Sequence, residues 1–239
     1  MPSDEDVARR YYRELFPSDS VHRWAGRAWA GIEPHKREWG WEGWDGSPFV
    51  RWKSCPQPKD LREMVGGKRV GKINLGAVFT TDPAQRHEQE EPMKVAAREF
   101  VIDIDLTDYP GGSTDLDACD HMWPLVAVGL EVAWRSLTNH FGFRHVLKVY
   151  SGRRGGHLWV CDKRACAMND DARDAIIKWL APSENKGETT WKYLLEHPSF
   201  TEMNRDLVLP FFRETAIKPV EQGTNGSPRT HTSVPFNAL

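Results

Sequence analysis

The chain has 239 residues, of which 39% are hydrophobic and 28% are charged, a composition typical of folded globular proteins. Its formal net charge of −2 argues against a broad electrostatic grip on nucleic acid, so such binding would be local or borrowed from a partner. No apolar run approaches the roughly 20 residues that cross a bilayer, and the charged first ten residues predict no secretory signal. Four cysteines, too few for a disulfide framework in a chain of this size, favour a reducing intracellular compartment.

The first 93 residues predict one helix, two short strands and a surface loop. Ser3 and Asp6 have the spacing of a capping box at the start of the helix, which Pro17 ends. Six tryptophans lie between positions 24 and 52, and two interpretations stay open: a hydrophobic core with a few half-exposed rings, or a stacking surface for unpaired bases. The remaining elements are strands at 49–53 and 72–79, a Gly-Gly turn at 66–67 and the loop at 80–93.

Outside two strand-like motifs, the rest of the sequence is mainly helical. Apolar residues recur at helical spacing before Gly142, which is well placed to end that helix. From residue 222 onward the chain consists largely of Gly, Thr, Ser, Asn and Pro, which indicates a loop or disorder. The predicted helices cover 123–141, 171–180 and 193–218, the last with interruptions at Pro198 and Pro210.

The first motif, residues 99–108, reads EFVIDIDLTD and alternates with the period of a half-buried strand. Asp103 and Asp105 fall on one face, with Cα atoms roughly 6.6–6.8 Å apart, although strands disfavour aspartate. Two carboxylates within ~5 Å repel by about 3 kcal/mol at an effective dielectric near 20, and a divalent cation reverses that sign. Such hard oxygen ligands suit Mg²⁺ or Mn²⁺. The alternative is an exposed sheet face whose acids pair with lysine or arginine.

The second motif, residues 146–161, predicts a strand, a glycine-rich turn and a returning strand. Arg153 and Arg154 at the turn would repel each other unless an anion lies between them. Guanidinium groups match phosphate oxygens, at about 1.5–3 kcal/mol for each charged hydrogen bond. Ser151 adds a hydroxyl donor, and His157 begins the returning strand. The alternative is an exposed basic hairpin tip, but beside a metal-binding acid pair a metal-bridged nucleoside triphosphate explains the pattern better.

FVIDIDLTDY and VYSGRRGGHLWVCD closely resemble the two best-known motifs of archaeo-eukaryotic primase small subunits, in their eukaryotic form. The resemblance extends to YYRELFP at 11–17, REW at 37–39, FVRW at 49–52, FGFRH at 141–145 and KINLGAV at 72–78, where Asn74 replaces the usual aspartate. It implies an α/β (α+β) catalytic module with an RRM-like sheet over residues 1–181, a partial helical insertion over 182–221 and a flexible tail over 222–239.

The resemblance also implies a role for each matching position. Asp103 and Asp105 would bind the metal ions, and Glu38 would be a further catalytic acid. The incoming nucleotide would be bound by the hairpin motif, with help from two basic residues upstream: Ser151, Gly152, Arg153, Arg154, Gly155, Gly156 and His157, with Arg51 and Lys72.

Two departures from the family pattern qualify these roles. Family members usually carry a four-cysteine zinc site between the motifs, and here Cys119 and His121 are its remnant; structural zinc needs four ligands, so we expect no zinc. The family also has a third aspartate after the helical insertion, which we cannot place in this chain. Asp206 and Glu214 fall on the insertion itself. We therefore expect impaired activity, or a truncated product.

The function implied by the resemblance is that of a DNA primase catalytic subunit in the primosome. This nucleotidyltransferase, a DNA-directed RNA polymerase, would make short RNA primers on single-stranded DNA at replication initiation. It would use ribonucleoside triphosphates with Mg²⁺ or Mn²⁺, and would assemble with the primase large subunit and a replicative DNA polymerase, in the nucleus if the source is eukaryotic. Two alternatives stay open: a truncated or non-catalytic paralogue that binds nucleotide or the large subunit, and a metal-dependent nucleotidyltransferase or nuclease that does not prime.

Overall fold

A computed structural model describes residues 3–26, 33–67, 70–88, 91–108, 116–152, 154–181 and 197–216. The chain divides into two compact units, one formed by Met1–Glu99 with Lys163–Ala167 and the other by Phe100–Asp162 with Met168–Leu239. Each unit contains an antiparallel sheet and helices, so the α/β (α+β) class is confirmed. Among the helices in these ranges, none is both long enough and apolar enough to cross a membrane.

The strands and helices follow one another closely along the chain. The strands are β1 (Arg37–Gly43), β2 (Val50–Lys53), β3 (Val70–Phe79), β4 (Val95–Ala97), β5 (Phe100–Asp105), β6 (Val146–Tyr150) and β7 (Gly155–Val160). The helices are α1 (Asp4–Arg10), α2 (Ser18–Ala25), α3 (Pro58–Gly66), α4 (Leu116–Asn139), α5 (Lys163–Cys166) and α6 (Asp170–Leu180), followed by the helical segments Pro198–Met203, Asn204–Val208 and Leu209–Ala216.

The capping box predicted at the start of α1 is confirmed. The Ser3 hydroxyl accepts a hydrogen bond from the Asp6 backbone N–H at 3.2 Å, and the Asp6 carboxylate accepts one from the Ser3 N–H at 3.2 Å. A π-helical turn continues α1 and ends before Pro17, as predicted. Tyr12 and Phe16 pack against the core. Three apolar residues that recur at helical spacing along this segment are exposed: Val7, Tyr11 and Leu15.

The first unit has the strand order β2-β1-β3-β4, and its core lies between this sheet and α2 and α3. Trp39 is 1% exposed in that core, and Trp24 and Trp41 pack against it, so the core interpretation holds for these three tryptophans. Trp44 is 50% exposed, and for it the stacking interpretation stays a prediction. Trp29 lies outside the described residues.

Several elements of the first unit were missed by the sequence analysis. β1 places Glu38, Gly40 and Glu42 on the face opposite Trp39 and Trp41, a period-2 alternation that the sequence analysis did not assign to a strand. α3 begins with its own capping box, in which the Gln57 N–H donates to the Asp60 carboxylate at 2.7 Å. α2 and the three-residue β4 are shorter than the windows in which apolar periodicity is readable.

A buried ion pair connects several segments of the first unit. The Arg37 guanidinium donates to both Glu99 carboxylate oxygens, at 2.8 and 2.9 Å, and the two side chains are 1% and 2% exposed. Arg37 also donates to the Gly76 carbonyl at 2.8 Å and to the Ala25 carbonyl at 3.0 Å. A buried charge is costly unless it is paired and hydrogen-bonded, so all of these bonds must form together in the folded chain. They hold β1, β3 and the end of α2 against Glu99, the residue that precedes β5.

The second unit has the strand order β5-β7-β6, and α4 packs against this sheet. The strand, turn and strand predicted at 146–161 are confirmed. A Cβ atom at Gly156 would lie 2.5 Å from Leu130 Cδ1, so a glycine lets α4 lie close to β7. The predicted start of α4 at Trp123 was wrong: the helix begins at Leu116 and continues through Pro124. Gly142, with φ +63°, follows its C-terminal end as predicted.

Parts of the predicted organisation fall outside the described residues. These parts include 182–196 and 217–239, so the domain boundaries at 181 and 221 and the tail at 222–239 stay predictions. Within the described range, the chain is helical from Pro198 to Ala216. The predicted interruption at Pro198 stays a prediction, because residues 193–196 lie outside the described residues.

Candidate active site

Cross-strand pairing brings the two sequence motifs together on one face of the second unit's sheet. Asp103 on β5 pairs with His157 on β7, and Asp105 pairs with Gly155. Successive side chains of a strand alternate between faces, so Asp103, Asp105 and His157 share one face. The opposite face contacts α4, where Gly156 approaches closely.

Asp105 is held by donors on both sides. The Arg154 Nε–H lies 2.8 Å from Oδ1 and 3.0 Å from Oδ2, and Oδ1 also accepts the Thr107 backbone N–H at 2.9 Å and the Thr107 hydroxyl at 2.8 Å. The Thr107 N–H, followed by the Arg154 side chain, lowers the pKa of Asp105 to about 2. The carboxylate is therefore ionised at neutral pH before any ligand arrives.

Asp103 is the more open of the two acids. Its side chain is 68% exposed, against 27% for Asp105. The His157 Nε2 lies 3.2 Å from the Asp103 Oδ1, and the imidazole is 29% exposed. One carboxylate is thus accessible to an incoming ligand, while the other is already hydrogen-bonded.

The hairpin turn between β6 and β7 is closed by its own hydrogen bonds. The Ser151 N–H donates to the Gly155 carbonyl at 3.0 Å, and the Gly155 N–H donates to the Ser151 hydroxyl at 3.1 Å. Gly152 has φ +95°, in the region that favours glycine. A Cβ atom at Gly155 would lie 2.7 Å from the Ile104 carbonyl oxygen, so a side chain there would separate β7 from β5. Arg153 lies outside the described residues.

The remaining residues of the second unit that the sequence singled out are placed only in part. Cys119 and His121 lie on α4, and their side chains are outside the described part of the chain. The loss of the zinc site therefore stays a prediction. Asp206 pairs with the neighbouring Arg205 at 2.6 Å.

The first unit contains a second group of predicted site residues. Glu38 is buried, and its carboxylate accepts hydrogen bonds from Arg51 Nε at 2.9 Å, Arg51 Nη2 at 3.1 Å and the Trp52 N–H at 3.3 Å. The Glu38 carboxylate raises the pKa of Arg51. A Cβ atom at Gly76 would lie 2.6 Å from Glu38 Oε2, so the absence of a side chain there makes room for the acid.

A pocket of about 190 Å³ opens beside this ion pair. The other basic residue predicted in this unit, Lys72, has a side chain that is 64% exposed, and it pairs with Glu42 at 3.2 Å. Asn74, which replaces the usual family aspartate, donates to the same Glu42 carboxylate at 3.5 Å. The pocket is lined by Glu38, Gly40, Phe49, Arg51, Asn74, Leu75 and Gly76.

One residue at these sites was missed by the sequence analysis, and one of the six tryptophans that it noted has an unexpected backbone conformation. Thr107 follows Asp105 by two positions, a spacing at which a carboxylate often accepts a local hydrogen bond from the backbone, and this signal could have identified it. Trp52 has φ +63°, which is rare for a bulky residue, and its ring lies under the Arg51 guanidinium at 4.3 Å. No local sequence pattern predicts that conformation.

The donor set on the second sheet is compatible with a divalent cation but incomplete as a closed site. Asp103 and Asp105 supply the hard oxygen atoms that Mg²⁺ and Mn²⁺ prefer. Within the described residues, no group of three or more His, Cys, Asp and Glu side chains is arranged to hold a metal ion. The pairing of Asp105 with Arg154 is also what the alternative interpretation of the acid pair expects.

Comparison with known proteins identifies the family. The family model described as DNA primase small subunit matches residues 102–232, more than half of the chain. The DNA primase small subunit of Schizosaccharomyces pombe is 30% identical over 192 residues, which cover 74% of this chain and 40% of the relative.

Other relatives extend the match along the chain and across domains of life. The DNA primase small subunit of Saccharomyces cerevisiae is 26% identical over 221 residues, 88% of this chain and 53% of the relative. The archaeal protein of the same description from Haloarcula marismortui is 24% identical over 149 residues, 61% of this chain and 38% of the relative. The chain thus spans about half, or less, of the length of these curated relatives. It belongs to the DNA primase small subunit family, in its eukaryotic type.

Proposed function

We propose that this chain performs primer synthesis: the transfer of ribonucleotides to the 3′ end of a growing RNA on a single-stranded DNA template. The observation that supports the proposal is the β5–β7 register, with Asp103, Asp105 and His157 on one sheet face and Arg154 against Asp105. An acid pair next to a guanidinium and an imidazole is the chemistry that a metal-bound triphosphate requires.

Asp103 and Asp105 would hold the Mg²⁺ or Mn²⁺ ion. When bound, such an ion stabilises the charge that develops on the transferred phosphoryl group and lowers the pKa of the attacking hydroxyl. Asp105 needs no deprotonation to bind a cation at neutral pH, because its pKa is about 2. Asp103, with 68% of its side chain exposed, would be the first ligand that a cation reaches.

The hairpin residues would hold the triphosphate. The Arg154 guanidinium, now bound to Asp105 through Nε, is 25% exposed and can bind phosphate oxygens as the carboxylate turns toward a cation. His157 would donate to a second phosphate oxygen, and Ser151 and Arg153 are proposed to contact the same group. The 3′-hydroxyl would give its proton to solvent water as its oxygen attacks the α-phosphorus, the bond from the α-phosphorus to the oxygen shared with the β-phosphorus would break, and pyrophosphate would leave.

The residues of the first unit are proposed to assist. Arg51 is 46% exposed although it binds Glu38, so its guanidinium can still reach an anion. Glu38, buried and bonded to Arg51 and to the Trp52 N–H, would act by orienting Arg51. Lys72 is exposed and weakly paired, as expected of a lysine that changes partner when an anion binds.

The partners follow from the family and from the charge of the chain. We propose that a primase large subunit and a replicative polymerase supply most of the DNA affinity, since the formal net charge of this chain is −2. In a eukaryotic cell these assemblies would be nuclear.

The direct test is primer synthesis on poly(dT) with labelled ATP and Mn²⁺ or Mg²⁺. We expect short oligoribonucleotides from the unmodified chain and at least 100-fold less product from Asp103→Asn with Asp105→Asn. Asp82→Asn is the matched control, because Asp82 lies in a loop of the first unit and only caps a short turn. Product that persists undiminished in the double variant would refute the assignment of these acids.

One observation favours a second candidate function, that of a non-catalytic subunit. Asp105 is already bonded to Thr107 and Arg154, and the described residues contain no group of three or more His, Cys, Asp and Glu side chains that could hold a metal ion. A chain of this kind would bind ATP or the large subunit without making primers. ATP binding in the absence of any product, with either metal, would select this candidate, and degradation of the template would indicate a nuclease instead.

A further inference from the structure

An apolar row continues the open face of the second sheet beyond the acids. Antiparallel pairing aligns Val101 on β5 with Trp159 on β7, and Trp159 with Leu147 on β6. Val101 is 37% exposed and Leu147 is 48% exposed, while Trp159 between them is half-buried. The adjacent row along the strands contains Asp103 and His157.

The two outer members of this row, Val101 and Leu147, are not part of the core of the unit. Leu158 and Val160, the neighbours of Trp159 along β7, point to the opposite face and are fully buried there. Val101 and Leu147 therefore present apolar surface to solvent on a face whose other end is charged. Two exposed aliphatic side chains on β5 and β6, with the half-buried Trp159 between them and a candidate active site beside them, indicate a surface that a ligand covers.

The face has a gradient of polarity that matches one class of ligand. Its charged end is the Asp105–Arg154 pair, its middle is the Asp103–His157 pair, and its apolar end is the row that contains Val101. Side chains four residues apart on a strand are separated by ~13 Å, so the face is long enough for an extended small molecule. A nucleoside triphosphate has the same polarity, with anionic phosphates at one end and the π faces of a base at the other.

We propose that Val101, Trp159 and Leu147 form a platform for the base and sugar of the nucleotide whose phosphates lie at Asp105 and Arg154. This inference rests on the proposed function and adds the position of the non-phosphate half of the substrate. The Val101 and Leu147 side chains offer the base no hydrogen-bond partners, and the Trp159 indole nitrogen is buried, so the platform accepts purines and pyrimidines alike. A subunit that copies a template needs this tolerance, because base choice then belongs to the template.

The test compares ATP with inorganic tripolyphosphate, which lacks the base and sugar. Binding to the full chain is measured by isothermal titration calorimetry with Mn²⁺, for the unmodified protein and for Val101→Thr with Leu147→Thr. Threonine is β-branched, a shape that strands prefer, so the sheet is retained. We expect ATP affinity to fall about tenfold and tripolyphosphate affinity to stay within twofold. CTP, GTP and UTP should lose affinity by a similar factor.

Matched variants separate the possible outcomes. Val95→Thr on β4, where valine is 60% exposed in the first unit, should leave both ligands unaffected. Val101→Leu with Leu147→Met, which retains apolar surface, should keep ATP affinity. The platform is overturned if the threonine variant keeps its ATP affinity, or if it loses affinity for ATP and for tripolyphosphate equally. An equal loss is also the result expected if the row instead binds a protein segment that orders the whole sheet.

Failure of the proposed function itself has a different signature. If the phosphates lie elsewhere, Asp103→Asn with Asp105→Asn leaves tripolyphosphate binding unchanged, and the platform is overturned together with the site. If the acids hold the metal but the base lies elsewhere, the asparagine variant loses both ligands while the threonine variant keeps both. The two results are distinguishable, because the asparagine variant keeps tripolyphosphate binding in the first case and loses it in the second.

Discussion

Asp103 and Asp105 show how far a sequence can position a pair of side chains. Their i, i+2 spacing on a strand predicted a common face, and the structure places them there because alternation along a strand depends on the backbone alone. Their partners were less accessible to prediction. The Thr107 bond to Asp105 depends on the turn that follows β5, and the contact from Arg154 depends on the register of β7, which is set by long-range pairing.

The low pKa of Asp105 leads to a prediction at this scale. Thr107→Val removes the hydroxyl donor but keeps the backbone N–H, and Arg154→Gln removes the charge, so the pKa of Asp105 should rise in both from about 2 toward the ordinary value of about 3.9. Because the pKa of Asp105 is lower in the folded chain than in the unfolded chain, these bonds stabilise the fold above pH ~4. Their contribution to stability is lost as the pH falls toward 2 and the carboxylate is protonated.

Carboxyl ¹³C NMR titration of the Asp105 side chain measures this pKa directly. Thr138→Val on α4 serves as the control, since the Thr138 hydroxyl donates to carbonyls of its own helix. A pKa that stays the same in both the Thr107 and Arg154 variants would contradict the assigned causes.

Cys55 provides a second prediction for a single residue. Burial, with a smaller contribution from Asp60, raises the pKa of its thiol to about 12, and the side chain is 1% exposed. A raised thiol pKa keeps the reactive thiolate scarce at pH 8, so iodoacetamide should modify Cys55 at least 100-fold more slowly in the folded protein than in urea. Peptide mass spectrometry measures both rates. Comparable rates in the two states would show that the site is open.

At the scale of single elements, close approaches between strands matter more than propensity. The hairpin of β6 and β7 was predictable from its glycines, but which glycine faces a neighbouring backbone was not. Gly155 lies against the Ile104 carbonyl, whereas Gly152 has open space around it and a positive φ. The missed strand β1 makes the same point, since its acids are explained by contacts on β2 and β3 rather than by any local pattern.

Three glycine substitutions test this distinction. Gly155→Ala should lower the free energy of unfolding by about 1–3 kcal/mol, because its Cβ atom would meet backbone at 2.7 Å. Gly152→Ala, strained only by its φ, should cost about 1 kcal/mol. Gly66→Ala, at the end of α3 with its nearest neighbour at 3.7 Å, should be neutral or stabilising. Urea unfolding gives all three values, and the reverse order for the hairpin pair would refute the account.

The Arg37–Glu99 pair carries a prediction for the elements that it joins. Glu99→Gln leaves a buried guanidinium without its counter-charge and should lower the free energy of unfolding by about 3–5 kcal/mol. Arg37→Met combined with Glu99→Leu should cost less than either single change, since no charge is left unpaired. Arg62→Met, which breaks an exposed pair with Asp19, should have little effect. Thermal or urea unfolding measures the free energy of unfolding of each variant. If the double variant lost as much stability as the two single variants together, the pairing would be contradicted.

At the scale of the whole molecule, the sequence established the family and the class but not the division of the chain. The motifs identify the family because they are continuous stretches of candidate catalytic and binding residues. The match to the family model covers residues 102–232. The two units are discontinuous in sequence, since Lys163–Ala167 joins the first unit, and a discontinuity of this kind arises only from tertiary contacts.

The charge balance of the chain gives a prediction at this scale. With a formal net charge of −2, the chain should contact few phosphates at once. For single strands the slope of log K against log salt is about −0.7 per phosphate, so we expect a slope no steeper than about −2 for a dT oligomer. Fluorescence anisotropy over a salt series measures it. A slope near −5 would mean that the chain grips DNA without a partner.

The bond between Asp105 and Arg154 has a consequence for the order in which ligands arrive. While it is intact, the guanidinium occupies the carboxylate that a cation needs, and the carboxylate occupies the guanidinium that a phosphate needs. On the proposed function, breaking this one bond frees both the carboxylate and the guanidinium. A metal or a nucleotide that binds alone must offset the whole free-energy cost of breaking it. Metal and nucleotide would therefore bind synergistically, each raising the affinity of the other by the same factor, and the empty site would resist occupation by stray cations.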